Sequence, residues 1–316
     1  MKVYIPQEVA HEGTDYLKAH GYEVKVGTGF SIEEMKRDIA DCDAMLLRTA
    51  HCPGEVLEAG KQIKIVARHG VGYDNIDLKA AEKLGIWVTN TPQALSDSVA
   101  EFTLASILMA AKNIPACKDA MYRQDYGYKN SHKGLDVYGK SLGIVGFGRI
   151  GRAVAQKAYA GLEMNILAYD PSIKKEQVPD YVTLCSWEEL FGNADFISLH
   201  MPGGEKNRNA VSAKEFSMMK DSAILLNMAR GEVVDEKALD IALKAGELRC
   251  AVLDVQSQEP PAADSPLYQN EKVILTPHMA SNTEECMGRM ALHAAWQIHK
   301  VLSGVKPDWP VNNPQA

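Results

Sequence analysis

A chain of 316 residues, 46% hydrophobic and 24% charged, is large enough for two domains with buried cores and has the composition of an ordinary water-soluble globular protein. Its formal net charge of −7 carries no basic block, which argues against nucleic acid or an anionic membrane surface as the main partner. The six cysteines (Cys42, Cys52, Cys117, Cys185, Cys250 and Cys286) show neither a CxxC pair nor metal-ligand spacing. Reduced thiols, no metal and a cytoplasmic setting are therefore expected, and the start MKVYIPQ enters a strand without an apolar signal core.

Up to about residue 96 the chain alternates short apolar strands with helical patterns. Lys2–Ile5, Glu23–Val26, Ala44–Leu47, Ile63–Val66 and Ile86–Val88 read as strands, and Ile32–Ala40 and Asp77–Leu84 as helices. That alternation predicts a parallel sheet covered on both faces. This stretch holds no nucleotide fingerprint, so it is expected to be a separate α/β domain. Ser98 and Glu101 have the spacing of a capping box at the head of an apolar helix reaching Ala111. Apolar on nearly every side, that helix is expected to be buried between domains or subunits, and it is too short to cross a bilayer. Residues 121–138, polar and rich in tyrosine, read as an extended connection.

The most informative stretch follows. Ser141–Val145 reads as a buried strand, Gly146-Phe-Gly148-Arg149-Ile150-Gly151 as a glycine turn, Arg152–Ala160 as a helix and Asn165–Tyr169 as a second strand, which ends at Asp170. Asp170 lies 19 positions after Gly151, close to the spacing of a dinucleotide fingerprint. In such a unit the first glycine allows the turn, the second lets backbone approach a pyrophosphate, and the third packs helix on strand. Asp170 would accept hydrogen bonds from the adenosine ribose.

The alternation then resumes. A helix capped at Ser186, with Glu189 three positions on, precedes a strand at Phe196–His200. Ser212 and Glu215 open another helix, Ala223–Asn227 is a strand, and Asp235–Ala245 is a helix closed by Gly246. Cys250–Asp254 and Val273–Thr276 are the last strands, 285–302 the last helix, and the proline-rich tail Lys306–Ala316 is irregular. Asn227-Met228-Ala229-Arg230-Gly231, Asp254 with Glu259, and Thr276-Pro-His278 all fall just past strand ends, the edge at which open α/β sheets bind ligands.

GKSLGIVGFGRIG, NMARGEVVDEKAL, AVLDVQSQEPP and LTPHMASNT, in this order, resemble the signatures of the D-isomer-specific 2-hydroxyacid dehydrogenases, the family of phosphoglycerate dehydrogenase and glyoxylate/hydroxypyruvate reductase. The resemblance runs over nearly the whole chain. It implies two Rossmann- or flavodoxin-like doubly wound parallel-sheet domains with a cleft between them. Residues 1–96 plus 286–316 would be the substrate domain and 97–285 the NAD-binding domain. Arg230 would hold the substrate carboxylate and polarise its carbonyl, His278 would be the general acid/base, and Glu259 would orient and charge-balance His278. NAD would be contacted by Val71, Gly146, Gly148, Arg149, Ile150, Gly151, Asp170, His200, Pro202, Asn207, Met228, Ala229, Arg230, Asp254, His278 and Ala280. Asp254 would meet the nicotinamide carboxamide. The loop Gly70-Val71-Gly72 would cradle a carboxylate on its backbone N–H groups. Arg48 and Arg68 match positions that face a distal phosphate in phosphoglycerate dehydrogenases.

Some positions depart from the family pattern. Asn207 stands where a threonine often touches the pyrophosphate, Tyr126 is the nearest counterpart of a tryptophan that can reach a neighbouring subunit, and Gln256 replaces the phenylalanine of DVF. The chain stops at 316, so the regulatory domains of longer phosphoglycerate dehydrogenases are not expected. The implied activity is NAD-dependent interconversion of a D-2-hydroxy acid and its 2-oxo acid in a homodimer, with 3-phosphoglycerate or another doubly anionic acid favoured by the two arginines. The alternatives are a glyoxylate/hydroxypyruvate reductase, or a non-catalytic NAD(H)-sensing binding protein or corepressor.

Overall fold

The computed structural model describes residues 1–314, so the last two residues of the tail expected to be irregular lie outside the described residues. The chain divides into two compact units, Met1–Ser96 with the chain from Ser281 onward, and Asp97–Ala280. The sequence reading places the return to the first unit at residue 286 rather than 281.

The first unit is built from β1 (Lys2–Ile5), α1 (His11–Ala19), β2 (Glu23–Val26), α2 (Ile32–Ile39), β3 (Ala44–Leu47), α3 (Gly54–Ala59), β4 (Ile65–Arg68), α4 (Leu78–Lys83) and β5 (Trp87–Thr89). All five strands are parallel, in the order β2-β1-β3-β4-β5. Side chains alternate across the pleat, so Tyr4, Met45, Leu47 and Val66 pack with Met35 and Ile39 on one face. Val3, Ile5, Leu46, Ile65 and Ala67 pack on the other, against Leu17 and the alanines of the last helix, Ala291, Ala294 and Ala295. Each fully buried aliphatic side chain of this kind is worth about 1.5–3 kcal/mol. Small residues let the last helix lie close on α1, since a Cβ on Gly13 would sit 2.8 Å from the Ala291 carbonyl oxygen.

The second unit contains α5 (Ser96–Ala111), α6 (Ile114–Tyr122), β6 (Ser141–Val145), α7 (Arg149–Leu162), β7 (Asn165–Tyr169), β8 (Val182–Leu184), α8 (Trp187–Asn193), β9 (Phe196–Leu199), α9 (Ala213–Met218), β10 (Ile224–Asn227), α10 (Glu236–Ala245), β11 (Cys250–Leu253) and β12 (Val273–Leu275); α11 (Glu284–Leu302) belongs to the first unit. Its seven parallel strands run β12-β11-β10-β9-β6-β7-β8. The first strand, β6, is central, and the order reverses between β6 and β9. That reversal is the topological switch point at which such sheets bind ligands.

Several expectations need correction. The sequence reading does not contain α1, α3, α6 or β8. α1 carries Gly13 and starts without a side-chain cap, α3 is six residues long, and β8 is a three-residue edge strand, so none has a strong local signal. α5 begins at Ser96, so Ser98 is a buried residue inside the helix and not its cap. One side of α5 is exposed, with Glu101 3.7 Å from Lys157. Residues 121–138 are extended only in part, because α6 ends at Tyr122 and a 3₁₀ turn spans Tyr126–Asn130. The capping box at Ser186 is present as read, Glu215 accepts the Ser212 N–H at 3.0 Å while the Ser212 hydroxyl donates to Asp235, and Asp235 and Gly246 bound α10.

Candidate active site

The turn after β6 gives each of its three glycines a distinct task. Gly146 has φ +92°, and a Cβ there would lie 2.7 Å from the His200 carbonyl carbon, just past β9. Any side chain would strain the backbone and strike the neighbouring strand end. Gly148 precedes α7 with nothing within 4 Å of where a Cβ would be, so the approach to the helix N-terminus is open. At Gly151 a Cβ would collide with the Gly146 carbonyl oxygen, which is the close packing of helix on turn. Arg149 is exposed and Ile150 half-buried in the first turn of α7. An open helix N-terminus at the switch point fits a pyrophosphate.

Asp170 closes this unit. Its Oδ2 accepts the Phe147 N–H at 2.9 Å, and its Oδ1 accepts the Ser172 N–H and hydroxyl at 2.9 and 2.6 Å. Burial alone would raise its pKa, but the bonds from Ser172 and Phe147, with the charge of Arg152, hold it below the usual carboxylate range. It is an anion at neutral pH, beside the glycine turn. Across the switch point, the His200 N–H donates to Val145 O at 2.7 Å and its ring Nε2 lies 2.8 Å from the Ser198 hydroxyl. Burial pushes that imidazole down to about 4, so it is neutral. Asn207 donates its amide to the Pro202 carbonyl at 2.8 Å, a bond internal to the loop after β9.

The remaining residues gather at the carboxyl ends of β10, β11 and β12. Asn227, fully buried, shapes the Arg230 loop by accepting the Ala229 N–H at 3.1 Å and donating to the Arg230 carbonyl at 2.9 Å. Met228 and Ala229 are buried, and Arg230 Nη1 donates to the Ala229 carbonyl at 2.8 Å. A Cβ on Gly231 would run into the backbone of Gln256, so the loops after β10 and β11 touch through that glycine.

His278 Nδ1 donates to Glu259 Oε2 at 2.9 Å, and the Gln256 N–H donates to Glu259 Oε1 at 3.2 Å. Burial would raise the Glu259 pKa, but the bond and charge of His278, the Gln256 N–H and the charge of Arg230 hold it below the ordinary range. Glu259 is therefore anionic at neutral pH and fixes the imidazole so that Nε2 is the ring nitrogen left for chemistry. A cavity of about 390 Å³ opens beside the pair, walled by Pro260, Pro261, Tyr268, Leu275 and Pro277. His278 itself has φ +54°, a left-handed conformation that costs a non-glycine residue about 1–3 kcal/mol.

Asp254, expected to meet a carboxamide, is 1% exposed. Its Oδ1 accepts the Thr276 hydroxyl at 2.6 Å and the Met279 N–H at 2.7 Å, and its Oδ2 accepts the Ala280 N–H at 2.8 Å. Two carboxylate oxygens offer about four acceptor positions, so three are filled from within.

Arg48, Arg68 and the Gly70–Gly72 loop lie in the first unit. β3 and β4 pair with Leu47 opposite Arg68, so Arg48 and Arg68 stand at adjacent strand ends. Arg48 Nη1 donates to the Glu8 carbonyl at 3.1 Å. Asp43 and Asp77 are engaged elsewhere, by the Lys2 N–H at 2.7 Å and the Ala80 N–H at 3.0 Å. The expectation of an available N–H at Gly70 is not met, because it donates to the Thr91 hydroxyl at 2.9 Å. Only Val71 and Gly72 of that loop remain candidates for holding an anion. Buried His69, next to Arg68 in the chain, is driven down to about 4 by its burial and by the charges of Arg68 and Arg48. Sequence reasoning gives no role to Asn227, Gln256 and Thr276, although they stand in the quoted signature stretches, or to Thr91; their amides and hydroxyls build the loops.

Residues 104–280 match the model of the D-isomer specific 2-hydroxyacid dehydrogenase NAD-binding domain. D-3-phosphoglycerate dehydrogenase of Methanocaldococcus jannaschii is 41% identical over 317 residues, covering 99% of this chain and 60% of that protein. The chain thus spans about three fifths of the length of such relatives. Glyoxylate reductase of Korarchaeum cryptofilum is 40% identical over 323 residues, covering 98% of this chain and 96% of that one. Among solved structures, the TT0316 protein of Thermus thermophilus superposes with a TM-score of 0.89 at 34% identity, covering 98% of this chain and 100% of that one. A family model over more than half the chain and a 40%-identical relative matched end to end settle the kinship: the chain belongs to the D-isomer specific 2-hydroxyacid dehydrogenase family.

Proposed function

We propose that the protein is an NAD-dependent oxidoreductase that interconverts a D-2-hydroxy acid and its 2-oxo acid. The single observation that carries this reading is the Glu259–His278 pair at 2.9 Å, with Arg230 acting on the same carboxylate, at one sheet edge of a fingerprint-bearing unit. NAD, when bound, supplies the hydride acceptor or donor. Gly146, Gly148, Arg149, Ile150 and Gly151 would hold its pyrophosphate, and Asp170 its ribose. His200, Pro202, Asn207, Met228, Ala229, Asp254 and Ala280 would line the path toward the nicotinamide. Arg230 would grip the substrate carboxylate and draw charge onto the carbonyl oxygen. His278 would deliver a proton from Nε2 to that oxygen in reduction and remove it in oxidation, while Glu259 balances the imidazolium.

The first unit would be the substrate domain. Its Val71 and Gly72 amides would hold a carboxylate, and to Arg48 and Arg68 we assign a second negative group, as in 3-phosphoglycerate. A second reading, reduction of a small 2-oxo acid such as glyoxylate or hydroxypyruvate, is favoured by the 40%-identical relative named glyoxylate reductase. Exposed Ile114, Met121, Tyr122 and Tyr126 on α6 and the turn after it support a homodimer through this segment. All six cysteines are unpaired thiols, in keeping with a cytoplasmic setting, and no described helix is long and apolar enough to cross a membrane. The acidic balance supports neither nucleic acid nor a membrane surface as partner. The test is NADH oxidation with 3-phosphohydroxypyruvate, hydroxypyruvate, glyoxylate and pyruvate. NADH binding without turnover of any of them would replace the enzyme by a sensing protein.

A further inference from the structure

We propose that Glu232 is a positioning residue that couples cofactor binding to the grip on the substrate carboxylate. It fastens the loop after β9, with Pro202 and Asn207, to the stretch that carries Arg230. The inference rests on the roles given to those residues above.

The loop after β9 has little to hold it in place from within the sheet. Asn207 donates its backbone N–H to the Gly204 carbonyl at 2.9 Å and its side-chain amide to the Pro202 carbonyl at 2.8 Å, while Arg208 pairs with Glu205 at 2.8 Å. These bonds close within the loop and give it shape without an anchor. Glu232 supplies the anchor at two points. Its Oε1 accepts the Gly204 N–H at 2.8 Å, and its main-chain carbonyl accepts the Asn209 N–H, also at 2.8 Å. One residue therefore holds both the entrance and the exit of the turn that contains Asn207. The next bond along, from the Val211 N–H to the Val233 carbonyl at 3.0 Å, continues the same seam.

The seam reaches Arg230 through Gly203. A Cβ on that glycine would collide with the Glu232 carboxylate and come within 3.0 Å of Arg230 Cγ, so the loop lies directly on the arginine side chain. Gly204 has φ +95°, which glycine adopts without strain, and its N–H meets the carboxylate from there. Arg230 and Glu232 flank Gly231 at the start of the 3₁₀ turn Gly231–Val233, so they move as one piece of backbone. A shift of the loop as it closes on a cofactor would thus pass through Gly204 and Gly203 to Arg230. With the carboxylate removed, the loop could close on the cofactor and leave Arg230 where it was.

Coupling of this kind is read from binding. NADH affinity is measured by fluorescence with and without oxalate, which offers Arg230 a carboxylate as a 2-oxo acid does. The ratio of the two dissociation constants is the coupling factor, the same whichever ligand is varied. We expect oxalate to tighten NADH binding in the wild type, and Glu232→Ala to cut the factor by about three- to tenfold, the worth of one hydrogen bond. KM for the best 2-oxo acid should rise in step, while kcat at saturation stays within about twofold, as befits a residue that acts on binding and not on the chemical step. Glu232→Gln keeps an acceptor oxygen within reach of Gly204 and should restore most of the coupling, which a purely structural role would not require. Gly203→Ala leaves Glu232 in place and pushes a methyl group toward Arg230. It should lower the factor as well, and it carries the test if Glu232→Ala does not fold. An unchanged factor in either variant, once folded, or no coupling in the wild type, would overturn the proposal. So would a loss of kcat with the factor intact. If the wild type turns over no 2-oxo acid, the functional reading fails, whereas the coupling of NADH to oxalate needs no turnover and still decides the role of Glu232.

Discussion

Glu259 and His278 are 19 residues apart in the chain, yet Oε2 and Nδ1 lie 2.9 Å apart because β11 and β12 are adjacent parallel strands whose following loops meet. The carboxylate is the acceptor and stays ionised, and in the proposed reaction the ring's other nitrogen would exchange the proton. Reduction needs a protonated ring and oxidation a neutral one. Reduction is therefore expected to fade toward alkaline pH and oxidation toward acid pH. Glu259→Gln removes the counter-charge, so reduction should be lost at a lower pH than in the wild type. His278→Ala should keep NADH binding and lose at least about a hundredfold in turnover, the lower range for a general acid/base. Wild-type rates in both directions for His278→Ala would rule out the assignment.

Asp170 should select NAD over NADP. It is a carboxylate held in its charged form by Ser172 and Phe147, at the strand end where the ribose hydroxyl would lie. A 2′-phosphate there loses the hydrogen bond and meets a like charge. The bond alone is worth about 1.5–3 kcal/mol, so kcat/KM with NADH should exceed that with NADPH by about tenfold or more. Steady-state kinetics with the two cofactors checks this, and equal efficiencies would remove Asp170 from the ribose site.

The parts of the site that the sequence announces are those that a motif places at a strand end. Gly146, Gly151 and Asp170 can be read because a turn, a close packing contact and a strand terminus each demand a residue type at fixed spacing. Arg230, Glu259 and His278 are legible only through family likeness, since nothing local distinguishes a working arginine from a surface one. Asn227, Thr276 and Gln256 stand in the signature stretches, but their roles are not legible there. They act through hydrogen bonds to backbone groups of other loops, and such bonds leave no periodic trace. The strand order is implied by βα alternation, whereas α1, α3, α6 and β8 owe their existence to packing rather than to local signals. The false cap at Ser98 has the same origin, because an S-x-x-E spacing arises inside a helix as easily as at its start.

His69 makes the first unit sensitive to acid. It is 3% exposed, and burial with the charges of Arg68 and Arg48 sets it near 4, below the ordinary 6.5. Above about pH 6.5 the ring is neutral folded and unfolded and contributes nothing. Between 6.5 and 4 the unfolded chain binds the extra proton, so stability falls as pH falls, by about 2 kcal/mol at pH 5 for this group. Urea unfolding of the wild type and His69→Gln at pH 8 and pH 5 should show a steeper loss for the wild type. Parallel losses in the two proteins would show that His69 is not the cause.

The substrate prediction turns on Arg48 and Arg68. They stand at the ends of adjacent strands; Asp43 and Asp77, near them in sequence, are bonded by backbone amides, while Arg68 and Asp74 are themselves engaged within the fold. The charges of both guanidinium groups lower the pKa of buried His69. Two cations so placed repel one another less when an anion is bound, and one carboxylate is already assigned to Arg230. On this proposal a substrate with a second negative group would need the two arginines, whereas glyoxylate or pyruvate would leave them idle. Losing one charge-assisted contact costs about 1.5–3 kcal/mol. Arg48→Ala should therefore lower kcat/KM for 3-phosphohydroxypyruvate by about ten- to a hundredfold and leave hydroxypyruvate nearly unchanged. Competition assays with the two acids at equal concentration give the ratio directly. An unaltered ratio in Arg48→Ala, or a wild type that prefers hydroxypyruvate, would assign these arginines to the fold and the protein to the smaller oxo acids.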